Sequence, residues 1–82
     1  EYGSAALEIP AEGIALEGKR ILIVDDVLAT GGTVSAAVAL LRRAGAIVER
    51  VSVVLELEAL GGRARLQELP AGGIAVSAIS VG

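Results

Sequence analysis

Ile21-Leu22-Ile23-Val24-Asp25-Asp26-Val27-Leu28-Ala29-Thr30-Gly31-Gly32-Thr33 is the stretch that decides the fold of this chain. Its first four residues are apolar with no polar alternation, which is what a strand buried on both faces requires. The stretch therefore predicts an interior, parallel strand that carries Asp25 and Asp26 to its carboxyl end. In open α/β sheets ligands bind outside the carboxyl ends of the strands, so the two carboxylates are candidate ligand contacts. Gly31 and Gly32 permit backbone angles and close approaches that a Cβ would block. Thr30 and Thr33 offer hydroxyls, and the helix that follows turns its unpaired N–H groups and positive dipole end to the same spot.

Phosphate donors thus lie a few residues from carboxylates, and carboxylates accept hydrogen bonds from sugar hydroxyls or hold a divalent cation. A ribose 5-phosphate satisfies both ends. The plainer alternative is a strand-to-helix turn with incidental acids, but it leaves two carboxylates beside an apolar strand end without solvation or a partner. Other phosphate signatures fit less well. A Walker loop requires Gly-Lys-Ser/Thr, whereas Thr33 follows Gly32 directly and the single lysine, Lys19, precedes the strand. The dinucleotide fingerprint needs three spaced glycines after its strand, which Gly31-Gly32 do not supply.

Composition limits what surrounds this stretch. With 82 residues, 54% of them hydrophobic, the chain suffices for one small domain and not two. A formal charge of −3 argues against a nucleic-acid or anionic-membrane surface, so phosphate binding has to be local. The absence of Cys and His excludes disulfides, thiolate metal sites and imidazole bases, leaving acid–base chemistry to carboxylates and to Tyr2, the sole aromatic residue. No apolar run approaches the roughly 20 residues that span a bilayer, and the acidic start is unlike a secretory signal. The default expectation is a cytoplasmic protein with no membrane partner.

Along the chain, Ala5, Leu7 and Ile9 alternate with smaller or charged residues in a strand-like pattern that Pro10 ends. Turns at Glu12-Gly13 and Glu17-Gly18 bracket Ile14 to Leu16 and lead, in a hairpin-like connection, to the strand expected from Lys19 to Asp25. Val34, Ala37, Val38 and Leu41 recur on one helical face and predict a helix from about Thr33 to Ala44. Arg42 and Arg43 oppose the negative end of its dipole, and Gly45 is placed to cap it. A second apolar run, Val51 to Leu57, completes a β-α-β unit with a right-handed crossover. Glu56 in that run reads as an edge or solvated carboxylate, with a place in the Asp25 and Asp26 crevice as the rarer alternative. Leu60 to Leu69 reads as a turn and short helix anchored by Arg63 and Arg65, and Ile74 to Val81 as a final strand.

The segment from Val24 to Thr33 resembles the signature of the type I phosphoribosyltransferases, in which hydrophobic residues, an acid pair and a Thr-Gly-Gly-Thr loop bind phosphoribosyl pyrophosphate (PRPP). Two further matches resemble the later part of the adenine phosphoribosyltransferase family. These are Glu1-Tyr2-Gly3 followed by Leu7-Glu8-Ile9, and Leu55-Glu56-Leu57 followed by Gly62-Arg63. Val27 stands where that family often has Leu. The resemblance implies an α/β fold, a mostly parallel sheet with flanking helices and without its N-terminal part, so residues 1–82 form a single partial, PRPP-binding domain.

The resemblance also implies the reaction: adenine attacks the anomeric carbon of PRPP, giving AMP and pyrophosphate, with Mg²⁺ required. Asp25 and Asp26 would oppose the positive charge of the ribose ring as pyrophosphate departs. Ala29, Thr30, Gly31, Gly32 and Thr33 would hold the 5-phosphate. Metal ions would neutralise the leaving group, with Asp25 and Asp26 as the candidate protein ligands. Glu1 matches a family carboxylate that exchanges a proton with the base, and Tyr2 the tyrosine beside it. A homodimer of the full-length form is implied by the same resemblance. The family's purine hood and mobile catalytic loop precede the matched part, so the chain is expected to be a piece of a longer protein that self-associates when isolated. Two rivals share the loop: a noncatalytic PRPP sensor and a phosphoribosyltransferase for another base.

Overall fold

The apolar run does form a strand, but a longer one than its aliphatic residues alone indicate. In the computed structural model, which describes residues 15–82, the first strand, β1, spans Arg20–Leu28. It runs through both aspartates because the parallel ladder continues past them: Asp25 lies opposite Val53, Val27 opposite Leu55 and Leu28 opposite Glu56. The Leu57 N–H then donates to the Leu28 carbonyl at 2.8 Å. Asp25 and Asp26 are therefore the sixth and seventh of the strand's nine residues, two short of the end at which they were expected. The expected strand over the first nine residues, the Glu12-Gly13 turn and the hairpin-like connection lie outside the described residues.

Helix α1, Gly32–Arg43, follows at once and buries Val34, Ala37 and Val38, with Leu41 packed at the edge of the same core. Its end is a Schellman turn: Ala46 N–H donates to the Leu41 carbonyl at 3.1 Å and Gly45 N–H to that of Arg42 at 3.0 Å. Gly45 takes a φ of 93° there, a conformation that suits a residue without a Cβ. The Arg42 guanidinium goes beyond complementing the helix dipole. It donates to the Val48 carbonyl at 2.7 Å and the Gly72 carbonyl at 3.0 Å, tying the end of α1 to two other segments.

The chain re-enters the sheet immediately as β2, Ile47–Glu56, four residues before the expected Val51. Glu49 and Arg50 hid this start because they interrupt the apolar pattern. The pairing shifts register at that point, so that Ile21 faces Val48 and Leu22 faces Arg50, and both Val48 and Val51 are buried. A 3₁₀ turn, Glu58–Leu60, and a short helix α2, Gly62–Gln67, lead to β3, Ala75–Val81. The strands are parallel in the order β1-β2-β3.

Among the described residues the central strand is thus β2 and not β1. Among the described residues β1 pairs on one side only, and its alternate side chains Leu22 and Val24 are 54% and 70% exposed, whereas Val51 and Val53 of β2 are nearly inaccessible. The reason is that Val34 and Val38 of α1 and Leu66 of α2 join one core cluster with Val51, Val53 and Val76, so alternate residues on the strands stay uncovered. Leu22, Val24, Val54, Ile79 and Val81 remain exposed, and exposed apolar side chains gathered on a sheet face favour association. The 82-residue chain alone is accordingly expected to self-associate, with a sedimentation coefficient that rises with concentration. Cooperative unfolding of a stable monomer in calorimetry would contradict this.

Candidate functional site

The carboxyl end of β1 and the start of α1 enclose a cleft of about 230 Å³, lined by the continuous segment from Asp25 to Val34 and by Leu57. Every described residue that the sequence nominated for the site, from Asp25 through Ala29, Thr30, Gly31 and Gly32 to Thr33, borders this one space. Glu1 and Tyr2 lie outside the described residues. Leu57 was read only as the end of a strand. Its place follows from the parallel pairing that lays the end of β2 beside that of β1, and it adds an apolar wall.

The acid pair is locally organised. Asp25 Oδ1 accepts the Asp26 N–H and Asp26 Oδ1 accepts the Val27 N–H, each at 2.8 Å. One oxygen of each carboxylate is thereby fixed and the other is left for a ligand hydroxyl or cation. Gly31 caps α1 with a φ of 86° and offers no side-chain cap, and the first turn contains no acidic residue. Thr30 Oγ1 accepts the Gly32 N–H at 3.3 Å, a long bond that an incoming anion can replace. The first-turn N–H groups and the positive dipole end are therefore available to a phosphate.

The loop rests on α2. A Cβ on Gly62 would stand 2.4 Å from the Ala29 carbonyl oxygen and 2.9 Å from the Leu28 side chain, and one on Gly31 would stand 3.1 Å from the Gly62 carbonyl oxygen. Both glycines are there because two backbone segments touch. The start of α2 is held in turn by Arg63, which reaches Glu56 with Nη2 at 2.7 Å from Oε1 and Nε at 3.1 Å from Oε2. Its Nη1 donates to the Val76 carbonyl at 2.9 Å.

Glu56 is consequently neither the solvated carboxylate expected nor a member of the aspartate crevice. It is 4% exposed and carries an ion pair with Arg63, as a charge inside an apolar run must. The sequence signal was available: an acid within a buried strand demands a cation, and Arg63 is the first one downstream. Arg63 does anchor the turn, as read. Hydrogen bonds from the Arg63 guanidinium, and its charge, hold the Glu56 carboxyl below the usual carboxylate range against the opposing effect of burial. The stability this pair contributes is complete above the unfolded-state pKa of about 4.3 and is lost as pH falls through the lower, folded-state value. Thermal unfolding followed from pH 7 to 3 is expected to show Tm dropping below about pH 4.3, and Glu56→Gln to flatten that part of the profile. An unchanged profile in the variant would contradict the assignment.

Among the described residues no group of three or more acidic, histidine or cysteine side chains stands ready to cage a metal ion. Two carboxylates beside a phosphate loop fit a different arrangement, in which Mg²⁺ is held by one or two carboxylates together with substrate phosphates. The arrangement thus sets N–H donors suited to a phosphate beside carboxylates suited to hydroxyls or a cation. No helix among the described residues is long and apolar enough to cross a membrane.

Comparison with known proteins agrees with this geometry. The chain is 69% identical over 70 residues to the adenine phosphoribosyltransferase of Mycobacterium avium, which covers 85% of this chain and 39% of that protein. The crystal structure of adenine phosphoribosyltransferase from Thermoanaerobacter pseudethanolicus superimposes with a TM-score of 0.74 at 39% identity, over 82% of this chain and 37% of that one. The Trypanosoma brucei enzyme in complex with AMP, pyrophosphate and ribose-5-phosphate gives a TM-score of 0.69 at 30% identity, over 78% of this chain and 29% of that one. The chain thus spans about two fifths of the length of the curated relatives it matches. The sequence pattern of the phosphoribosyl transferase domain matches residues 3–71, and with its parallel sheet and acid-flanked glycine loop the chain belongs to that family.

Proposed function

We propose that this chain is the PRPP-binding part of an adenine phosphoribosyltransferase, which transfers the 5-phosphoribosyl group to adenine and yields AMP and pyrophosphate. The observation that carries this reading is the cleft in which Asp25, Asp26 and the loop from Ala29 to Thr33 converge, in a chain 69% identical over 70 residues to an adenine phosphoribosyltransferase. In the reaction the bond from the anomeric carbon to pyrophosphate breaks and its electron pair leaves with the oxygen. The new bond forms from a ring nitrogen of adenine, whose proton passes to a carboxylate.

The loop's N–H groups hold the 5-phosphate and so fix the ribose ring. The free oxygens of Asp25 and Asp26 take up the ring hydroxyls, and their charge opposes the cationic character that the ring gains as pyrophosphate departs. Leu57 offers an apolar surface to the same cleft. Glu1 is the proposed proton acceptor for the base, and Tyr2 its neighbour. Asp25 and Asp26 are the residues that would hold Mg²⁺, which would supply charge neutralisation for the departing pyrophosphate. The full-length protein is proposed to act as a homodimer in the cytoplasm.

AMP formation from adenine, PRPP and Mg²⁺ by the full-length parent tests this. Turnover with orotate or hypoxanthine and none with adenine would reassign the base. PRPP binding without turnover on any base would make the protein a sensor.

A further inference from the structure

The phosphate loop contains no lysine or arginine, and two carboxylates stand beside it. A phosphoryl group drawn into the cleft would meet helix dipole and N–H groups but no full positive charge from the segment that lines it. The compensating charge comes from behind. On α2, Gly62 and Arg65 are three residues apart and share a face, and that face is turned to the loop. Gly62 abuts Ala29 and Gly31, while Arg65 lies along the next step: its Cδ is 3.5 Å from where a Cβ on Gly31 would be, and its Nη1 is 3.6 Å from where one on Gly32 would be. The bare backbone of the two glycines is what lets the guanidinium come so close to the opening of α1.

The other arginines near the core are engaged. Arg42 donates to backbone carbonyls and Arg63 to Glu56, whereas the Arg65 guanidinium donates to no protein acceptor among the described residues. It is exposed, and it does not line the cleft. We propose that Arg65 is an electrostatic positioning residue: from the outer side of the Gly31-Gly32 step it adds the positive charge that the loop lacks and raises the affinity for the phosphate of a phosphorylated sugar. This rests on the reading of the loop as a sugar-phosphate site.

The test uses the full-length parent, with ribose 5-phosphate and PRPP as probes, and compares Arg65→Gln with Arg65→Lys. Arg65→Gln is expected to weaken ribose 5-phosphate binding and raise KM for PRPP about three- to fivefold at low salt, the effect of one solvated charge. Its kcat, its KM for adenine and its Tm should hold near wild type. The difference from wild type should shrink at 0.5 M salt, about where charges several ångströms apart become screened, and Arg65→Lys should restore affinity to within about twofold because it keeps the charge. Wild-type affinity and salt dependence in Arg65→Gln would overturn the proposal. So would an equal loss in both variants, which would mark a packing role. Failure of the wild-type protein to bind ribose 5-phosphate at all would overturn the loop reading, and this proposal with it.

Discussion

Replacing Asp25 and Asp26 together by asparagine in the full-length protein is expected to lower kcat/KM for AMP formation on the order of 10²–10³-fold, with the larger share in kcat. Asparagine keeps the volume and hydrogen-bonding capacity of each side chain and removes only the charge. Ground-state contacts to ring hydroxyls therefore survive in part, while opposition to the positive charge that develops on the ribose ring does not. An interaction that strengthens as the bond breaks appears in kcat, whereas one made equally before and during the step appears in KM. The fold should tolerate the change, since Asp26 is exposed and Asp25 only partly buried. Steady-state kinetics with varied PRPP, alongside a Tm measurement, checks this. Unchanged kcat in a folded variant would remove the two carboxylates from the chemistry.

The second large effect concerns Arg63. Arg63→Met is expected to destabilise the protein by about 3 kcal/mol, because it leaves the nearly inaccessible Glu56 carboxylate without its partner. The Arg63 side chain is 38% exposed, so the loss should sit at the low end of the range for breaking a buried pair. A Glu56→Gln/Arg63→Met double variant should recover more than half of the loss, since an amide costs far less to bury than an unpaired carboxylate. Urea midpoints of the two single variants and the double variant decide it. A loss below about 1 kcal/mol in the first variant would mean that the pair acts like an ordinary surface bridge. Because Arg63 also holds the start of α2 against the loop, the same variant should weaken PRPP binding.

The site was legible in the sequence because its residues are nearly consecutive. Asp25 to Thr33 is a local motif, and a local motif keeps its geometry wherever its strand and helix form. What the sequence did not disclose depends on contacts between distant segments. Leu57 reaches the cleft only through the pairing of β2 with β1. Gly62 is needed only because α2 touches Ala29. The four aliphatic residues from Ile21 to Val24 look the same whether a strand has one neighbour or two, so the run could not reveal that β2 holds the central place among the described residues. Glu49 and Arg50 concealed the start of β2 for a related reason: a register shift separates buried positions that simple alternation would have joined. Glu56 shows the opposite situation, in which elementary electrostatics required a partner and the chain supplied one.

Among the described residues the parallel sheet pairs its strands in the order in which they occur along the chain, the first pairing closing over α1 and the second over the 3₁₀ turn and α2. None of these three strands has to wait for a distant one, which keeps loop-closure entropy small and favours rapid assembly. Domains made on the ribosome begin to fold from the segment that emerges first. Among the described residues the lining of the cleft, Asp25 to Val34 and Leu57, is encoded ahead of α2. The walls of the cleft thus leave the exit tunnel before Gly62, Arg63 and Arg65, and the helix that braces them is synthesised onto a cleft already outlined.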